Sequence, residues 1–219
     1  MIDFELIYHS LFALLRGTVV SLEIALIATT IGFSLGCAIA FLEKSQWLFV
    51  RTCVLAYVTL LRGTPMLVQI LFMYYVLPQF GLTLAPFLVA ALAIGLNSSA
   101  YISQSIRAGL DAVSKGQIEA AKTLGLTPFQ IQMHIVFPQG FFVALPSLGN
   151  ELITLVKDSS LASVIGVMEL SKEASVIRSI TYDAFSILLA VSLIYLVLTS
   201  MLSFGLKKLK NRVGRYATS

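Results

Sequence analysis

The amino-acid sequence predicts an all-α integral membrane protein of five transmembrane helices, with the N-terminus outside and the C-terminus inside. Three observations carry this. Of 219 residues, 58% are hydrophobic and only 12% charged, with a mean hydropathy of +0.90, whereas a water-facing domain keeps about 25% charged residues. The apolar residues fall in long blocks and not in a short amphipathic period. The Lys and Arg residues gather between alternate blocks, as they do in loops on the inner side of a membrane.

A hydrocarbon core of ~30 Å needs ~20 residues of helix at 1.5 Å per residue. Five segments meet this length: 18–42, 52–77, 86–106, 138–156 and 184–206. The second is broken at Arg62-Gly63-Thr64-Pro65, where Gly and Pro bend or end a helix. The fourth holds Pro146, Asn150 and Glu151 and is followed by Lys157-Asp158. That pair lies either at the outer headgroups or, if the helix starts later, beside a cavity. The first segment is longer than a signal-peptide core and is expected to remain as a membrane helix. The whole chain, 1–219, reads as one transmembrane domain.

Orientation follows from the loop cations. With the N-terminus outside, the inner side holds ten: Lys44, Arg51, Arg107, Lys115, Lys122, Lys207, Lys208, Lys210, Arg212 and Arg215. The outer side holds four: Arg16, Lys157, Lys172 and Arg178. The net charge of +4 marks no nucleic-acid site, because no basic face with interleaved aromatics exists. Cys37 and Cys53 read as two buried thiols without metal-ligand spacing. His9 and His134 form no catalytic pair. No catalytic residue and no metal site is expected.

The inner loop 107–137 has well-specified chemistry. A short helix of good formers runs to Leu124, and Gly125 stands where helices end in a left-handed residue. Thr127 then suits an N-cap, Pro128 the first turn, and Gln130 completes a capping box. The expected order is helix, tight turn, helix, with Pro138 opening the fourth span.

Polar residues inside apolar segments face the bundle or a water-filled path. Asn97 lies among Gly95, Ser98, Ser99 and Ala100, which suit close helix packing, so an interhelical hydrogen bond competes with a pathway role. Glu151 needs a cation or water and would suit a cationic solute. Glu23 could do the same or snorkel at the outer end. On a straight helix Arg62 sits ~21 Å from Val76, near the inner boundary, as an interfacial anchor or a gate.

Glu119-Ala120-Ala121, Gly125, Ile135 and Pro138 keep the spacing of the EAA loop of ABC importer permeases, with Phe137 where Leu is usual. The chain resembles the polar amino-acid branch of that family over most of its length. Leu61 to Pro65 with Val68-Gln69, Asn97 to Tyr101, Leu145 to Glu151, and Lys157 to Leu161 resemble its motifs; Gln104 departs from a common Glu.

The resemblance implies that Glu119, Ala120, Ala121, Gly125, Ile135 and Pro138 couple to separate ABC ATPase subunits, which hold the ATP and Mg. No phosphate-binding loop occurs in this chain. It implies a substrate path among Glu151, Asn150, Asn97, Tyr101 and Asp158, with a helix break or gate at Arg62, Gly63 and Pro65. An extracytoplasmic amino-acid-binding protein, a second permease subunit (like or unlike) and the lipid bilayer of a bacterial plasma membrane are the implied partners. The rival reading, an ion-coupled carrier or channel, finds mild opposition in an odd span count without visible repeats.

Overall fold

The computed structural model describes residues 2–217. In the last helix it describes no side chains at 209 or 211–217, so those of Arg212 and Arg215, both counted for orientation, lie outside the described set. Among the described residues no strand forms.

The first helix, α1 (Phe4–Leu42), begins well before Thr18. The Asp3 carboxylate caps it by accepting the Leu6 amide at 2.9 Å. Arg16, counted as a loop cation, therefore lies within α1. The second apolar segment becomes two helices, α2 (Leu48–Gly63) and α3 (Met66–Val76), bent by 106° at the Gly-Thr-Pro break. The straight-helix depth given to Arg62 does not hold, because the chain turns a corner directly after it. Cys53 is exposed on α2 and Cys37 only partly covered, so the thiols are not both buried.

The third segment, α4 (Pro86–Asp111), starts at Pro86 and runs on past Ile106. The loop 107–137 carries α5 (Lys115–Thr123) and α6 (Pro128–Ile131). A π turn, Gln132–Val136, joins α6 to α7 (Phe137–Asp158) without interruption. Pro138 thus widens the helix instead of opening it. Proline lacks the N–H and clashes with the carbonyl four residues back. The preceding Phe137 amide bonds Gln132 O, five residues back, which is the π spacing. A 3₁₀ stretch (Ser159–Ile165), α8 (Leu170–Thr181) and α9 (Ala184–Ala217) complete the chain.

Among the described residues four helical stretches are long and apolar enough to cross a membrane, and α2 with α3 is a fifth candidate. The central one is α4, with 67% of its apolar window buried against 22% in α9. Small residues (Gly32 and Gly36 on α1; Gly95, Ser98 and Ser99 on α4) line the α1–α4 seam. The outer surface keeps large apolar side chains such as Phe12, Phe49 and Phe204 exposed, a face for lipid or other chains and not for water.

The far end of the bundle from α5 is tied by a buried carboxylate. Glu169 is wholly buried and accepts from Ser21 Oγ (3.1 Å), Tyr195 OH (3.2 Å) and the Ser171 and Lys172 amides (2.9 and 2.8 Å). It caps α8 and joins α8 to α1 and α9, with every bond ending on a donor as a buried anion requires.

At the near end, Gly109 of α4 meets Gly140 of α7 so closely that a Cβ on Gly109 would fall on the Gly140 carbonyl oxygen. This contact pins together both ends of the loop 107–137. Gly109→Leu is expected to cost about 1–3 kcal/mol by overpacking, read as a lowered thermal transition of the detergent-purified chain. A transition like that of the wild type would contradict backbone contact there.

Candidate functional site at the helix break

A helix that stops in an apolar environment leaves its last carbonyls without partners, and unpaired polar groups there are costly. Side-chain amides repair the end of α2. Asn97 Nδ2 donates to Leu61 O at 2.9 Å and to Gln69 Oε1 at 3.0 Å. Gln69 Nε2 in turn donates to Leu61 O (2.9 Å), Thr64 O (3.1 Å) and Thr64 Oγ1 (2.7 Å). The Thr64 hydroxyl bonds Leu60 O. Asn97 therefore makes the interhelical hydrogen bond and also borders the cavity that the break opens.

That cavity, of about 580 Å³, is walled by Arg62, Gly63, Thr64, Pro65 and Met66 from the break and by Asn97 and Tyr101 from α4. Glu151, Thr154 and Asp158 of α7 complete it. Positions 151, 154 and 158 follow the i, i+3, i+7 spacing of one helical face. The Ser98 hydroxyl donates to Glu151 Oε1 at 2.9 Å, and the Arg62 guanidinium lies 5.1 Å from the Tyr101 ring centroid, a cation–π distance. Among the described residues no ion pair engages Arg62, Glu151 or Asp158. One guanidinium and two carboxylates thus line one small space.

Of the residues named from sequence, Asn97, Tyr101, Glu151, Asp158, Arg62, Gly63 and Pro65 meet here. Asn150 does not: one residue from Glu151 on the same helix, it faces a different groove, between α7 and α9. Glu23 is exposed on α1 outside the cavity. Asp158 is on the cavity wall, whereas Lys157 is exposed and does not line it. Sequence reasoning passed over Thr154, although its spacing from Glu151 and Asp158 was legible.

The loop 107–137 is the second candidate surface. Gly125 has φ +80°, and Thr127 and Gln130 close the expected capping box. Glu119 and Ala120 are exposed, but Ala121 is 2% exposed and packs inward with Leu110, Val113, Ile131 and Val136. Ile135 is partly buried in the same cluster. Of the alanine pair, only Ala120 is available to another chain. Leu124 (80% exposed) and Phe129 (72% exposed) add an apolar patch that the motif does not mark.

The loop's root is an ionic cluster between α1 and α4. Glu43, almost wholly buried, accepts from Gln104 Nε2 (2.6 Å) and Arg107 (2.9 Å), while Asp111 pairs with Arg107 and Lys44, both at 3.6 Å. This accounts for Gln104: a carboxylate there would face Glu43, whereas the amide donates to it.

The family model described as "Binding-protein-dependent transport system inner membrane component" matches residues 28–215. The chain belongs to this family of transporter permeases. Family members are membrane subunits of transporters and not catalytic enzymes. A putative glutamine transport permease, GlnP, of Rickettsia conorii is 35% identical over 94% of this chain and 95% of its own length. A probable glutamine ABC transporter permease, GlnM, of Bacillus subtilis is 36% identical over 94% of this chain and 90% of its own. The nopaline transport permease NocM of Agrobacterium fabrum is 37% identical over 92% and 88%. A crystal structure of an amino acid ABC transporter with histidines superposes with a TM-score of 0.93 at 36% identity, covering 97% of this chain and 99% of that one. The fold also matches the MetNI methionine transporter in inward-facing form, with a TM-score of 0.78 at 20% identity over 93% and 97%.

The two amides that repair the break in this permease also bond each other at 3.0 Å, a bond that either loss removes, so their losses should not add. Asn97→Leu and Gln69→Leu are each expected to cost about 1–3 kcal/mol, the penalty of leaving the partner amide without its bond. The double variant should cost clearly less than their sum, measured as thermal transitions in detergent. Strict additivity would mean that the two amides act apart.

Proposed function

We propose that this chain is the permease subunit of an ATP-driven importer for a polar or basic amino acid in a bacterial plasma membrane. The observation that carries the reading is the cavity at the helix break. A free amino acid presents a carboxylate and an ammonium within a few ångströms. Arg62 suits the carboxylate, and Glu151 with Asp158 suits cations. A 2:1 excess of carboxylates favours a substrate with one further positive charge. The glutamine and nopaline transport relatives support the amino-acid class.

ATP and Mg belong, in this reading, to separate ATPase subunits that bind the inner loop. Exposed Glu119 and Ala120, with the apolar Leu124 and Phe129 beside them, form a docking surface on a short capped helix. Movement of that helix reaches the cavity through α4 and α7, which carry the cavity residues and meet at Gly109 and Gly140. A second permease subunit closes the other side of the path, and an extracytoplasmic binding protein delivers substrate for alternating access. Family membership disfavours the rival of an ion-coupled carrier or channel.

Uptake of labelled basic, amide and acidic amino acids into cells expressing the full transporter tests this. Glu119→Lys and Gly125→Val, the latter strained at φ +80°, should each lower uptake roughly tenfold or more while leaving the permease in the membrane. Glu151→Gln should weaken uptake of basic substrates roughly tenfold and of neutral ones less. Uptake that persists without the ATPase would overturn the importer reading. Preference for neutral or acidic substrates would overturn only the charge assignment.

A further inference from the structure

A second cavity, of about 330 Å³, lies in the groove between α7 and α9 that Asn150 faces. Its walls are apolar: Leu145, Pro146 and Ile153 on α7 and Leu206 on α9. Its cations are Lys207 and Lys210, which share a face of α9 at i, i+3. Lys208 is exposed but does not line the groove.

The groove has a polar end and an apolar end. Leu206 packs over Gly149 at the crossing. The start of α9 lies at the far end of the bundle, where Tyr195 bonds Glu169, so α9 runs toward the α5 end. The course of α7 is opposite, from Gly140 near that end to Asp158. Lys207 and Lys210 therefore stand beside Leu145 and Pro146, while Ile153 and Ser203 lie deeper. Ser147 bonds Ser105 at 2.7 Å, which sets Pro146 level with the last turns of α4, where Arg107 pairs with Glu43. The lysines are thus at the depth where charged residues begin, and the apolar wall continues into the span.

No carboxylate lines this groove, in contrast to the helix-break cavity. Among the described residues neither lysine has an acidic partner. Basic pockets between membrane helices favour anionic lipid headgroups. A soluble anion would use the lysines but gain nothing from the apolar wall.

We propose that the α7–α9 groove binds an anionic phospholipid of the leaflet on the α5 side, its phosphate held by Lys207 and Lys210 and an acyl chain laid along Leu145, Pro146, Ile153 and Leu206. Asn150 offers an amide at the depth of the glycerol esters. The lipid fills a seam that protein atoms leave open and braces α9, the least buried of the four unbroken candidate spans, against α7.

Native mass spectrometry of the full chain, released from detergent with added dioleoyl-phosphatidylglycerol or dioleoyl-phosphatidylcholine, tests this. Phosphatidylglycerol should bind in preference, and Lys207→Gln combined with Lys210→Gln should weaken it about 10- to 30-fold. Lys208→Gln should stay within about twofold, because its charge is off the groove. Inorganic phosphate should not displace the lipid. Should the double variant not fold, Ser203→Phe, which fills the deep end, carries the same expected loss. Equal binding of phosphatidylcholine, an equal loss in Lys208→Gln, or displacement by phosphate would each overturn the proposal. The last would leave a soluble-anion site in its place.

Discussion

The structure depends on one constraint: in hydrocarbon, a backbone group without a partner is too costly to leave. The chain nevertheless breaks a membrane-length helix at Gly63 to Pro65 and turns it by 106°. It can do so because Asn97 and Gln69 donate to the carbonyls that the break orphans. The break opens a cavity, and the residues that repair it border that cavity. Asn97 thus has a structural and a positional role at once. Removing its amide would unsettle the corner on which Arg62 is mounted.

The two regions of interest share two helices. On α4, Asn97 and Tyr101 lie at the cavity and Gly109 at the loop; on α7, Gly140 lies at the loop and Glu151 to Asp158 at the cavity. Helices are stiff along their axes, and these two touch backbone to backbone at one end. A displacement of the loop therefore has a direct path to the cavity wall. The Glu43–Arg107–Asp111 cluster adds α1 to the same end, and the Glu169 network holds α1, α8 and α9 at the other. The bundle is tied at both ends by buried or half-buried charge and packed between them by small residues.

Much of the candidate site was legible because its residue types are expensive in lipid. Arg62, Asn97, Glu151 and Asp158 stand out against apolar neighbours for that reason, and all four line the cavity. Asn150 stood out equally and faces elsewhere, since adjacent helical residues point about 100° apart and composition does not give the rotation. Thr154 and Gln69 were less visible because each is unremarked alone; their meaning comes from spacing and from partners. Glu169 left no sequence signal beyond its charge, as its donors come from residues near 21, 171 and 195.

By itself, the sequence determined the helical membrane class, the break of the second segment at Gly63 to Pro65, the turn chemistry of the loop 107–137 and the family. These rest on local physics: hydropathy over ~20 residues, Gly and Pro backbone limits, and caps within four residues of each other. Only the tertiary structure decided the 106° corner, the inward turn of Ala121, the separation of Asn150 from Glu151 and the convergence of Arg62 with two carboxylates. Each of these depends on how one helix is rotated and tilted against another. That is set by packing between residues far apart in the chain, such as Gly109 on Gly140, and no local pattern encodes it.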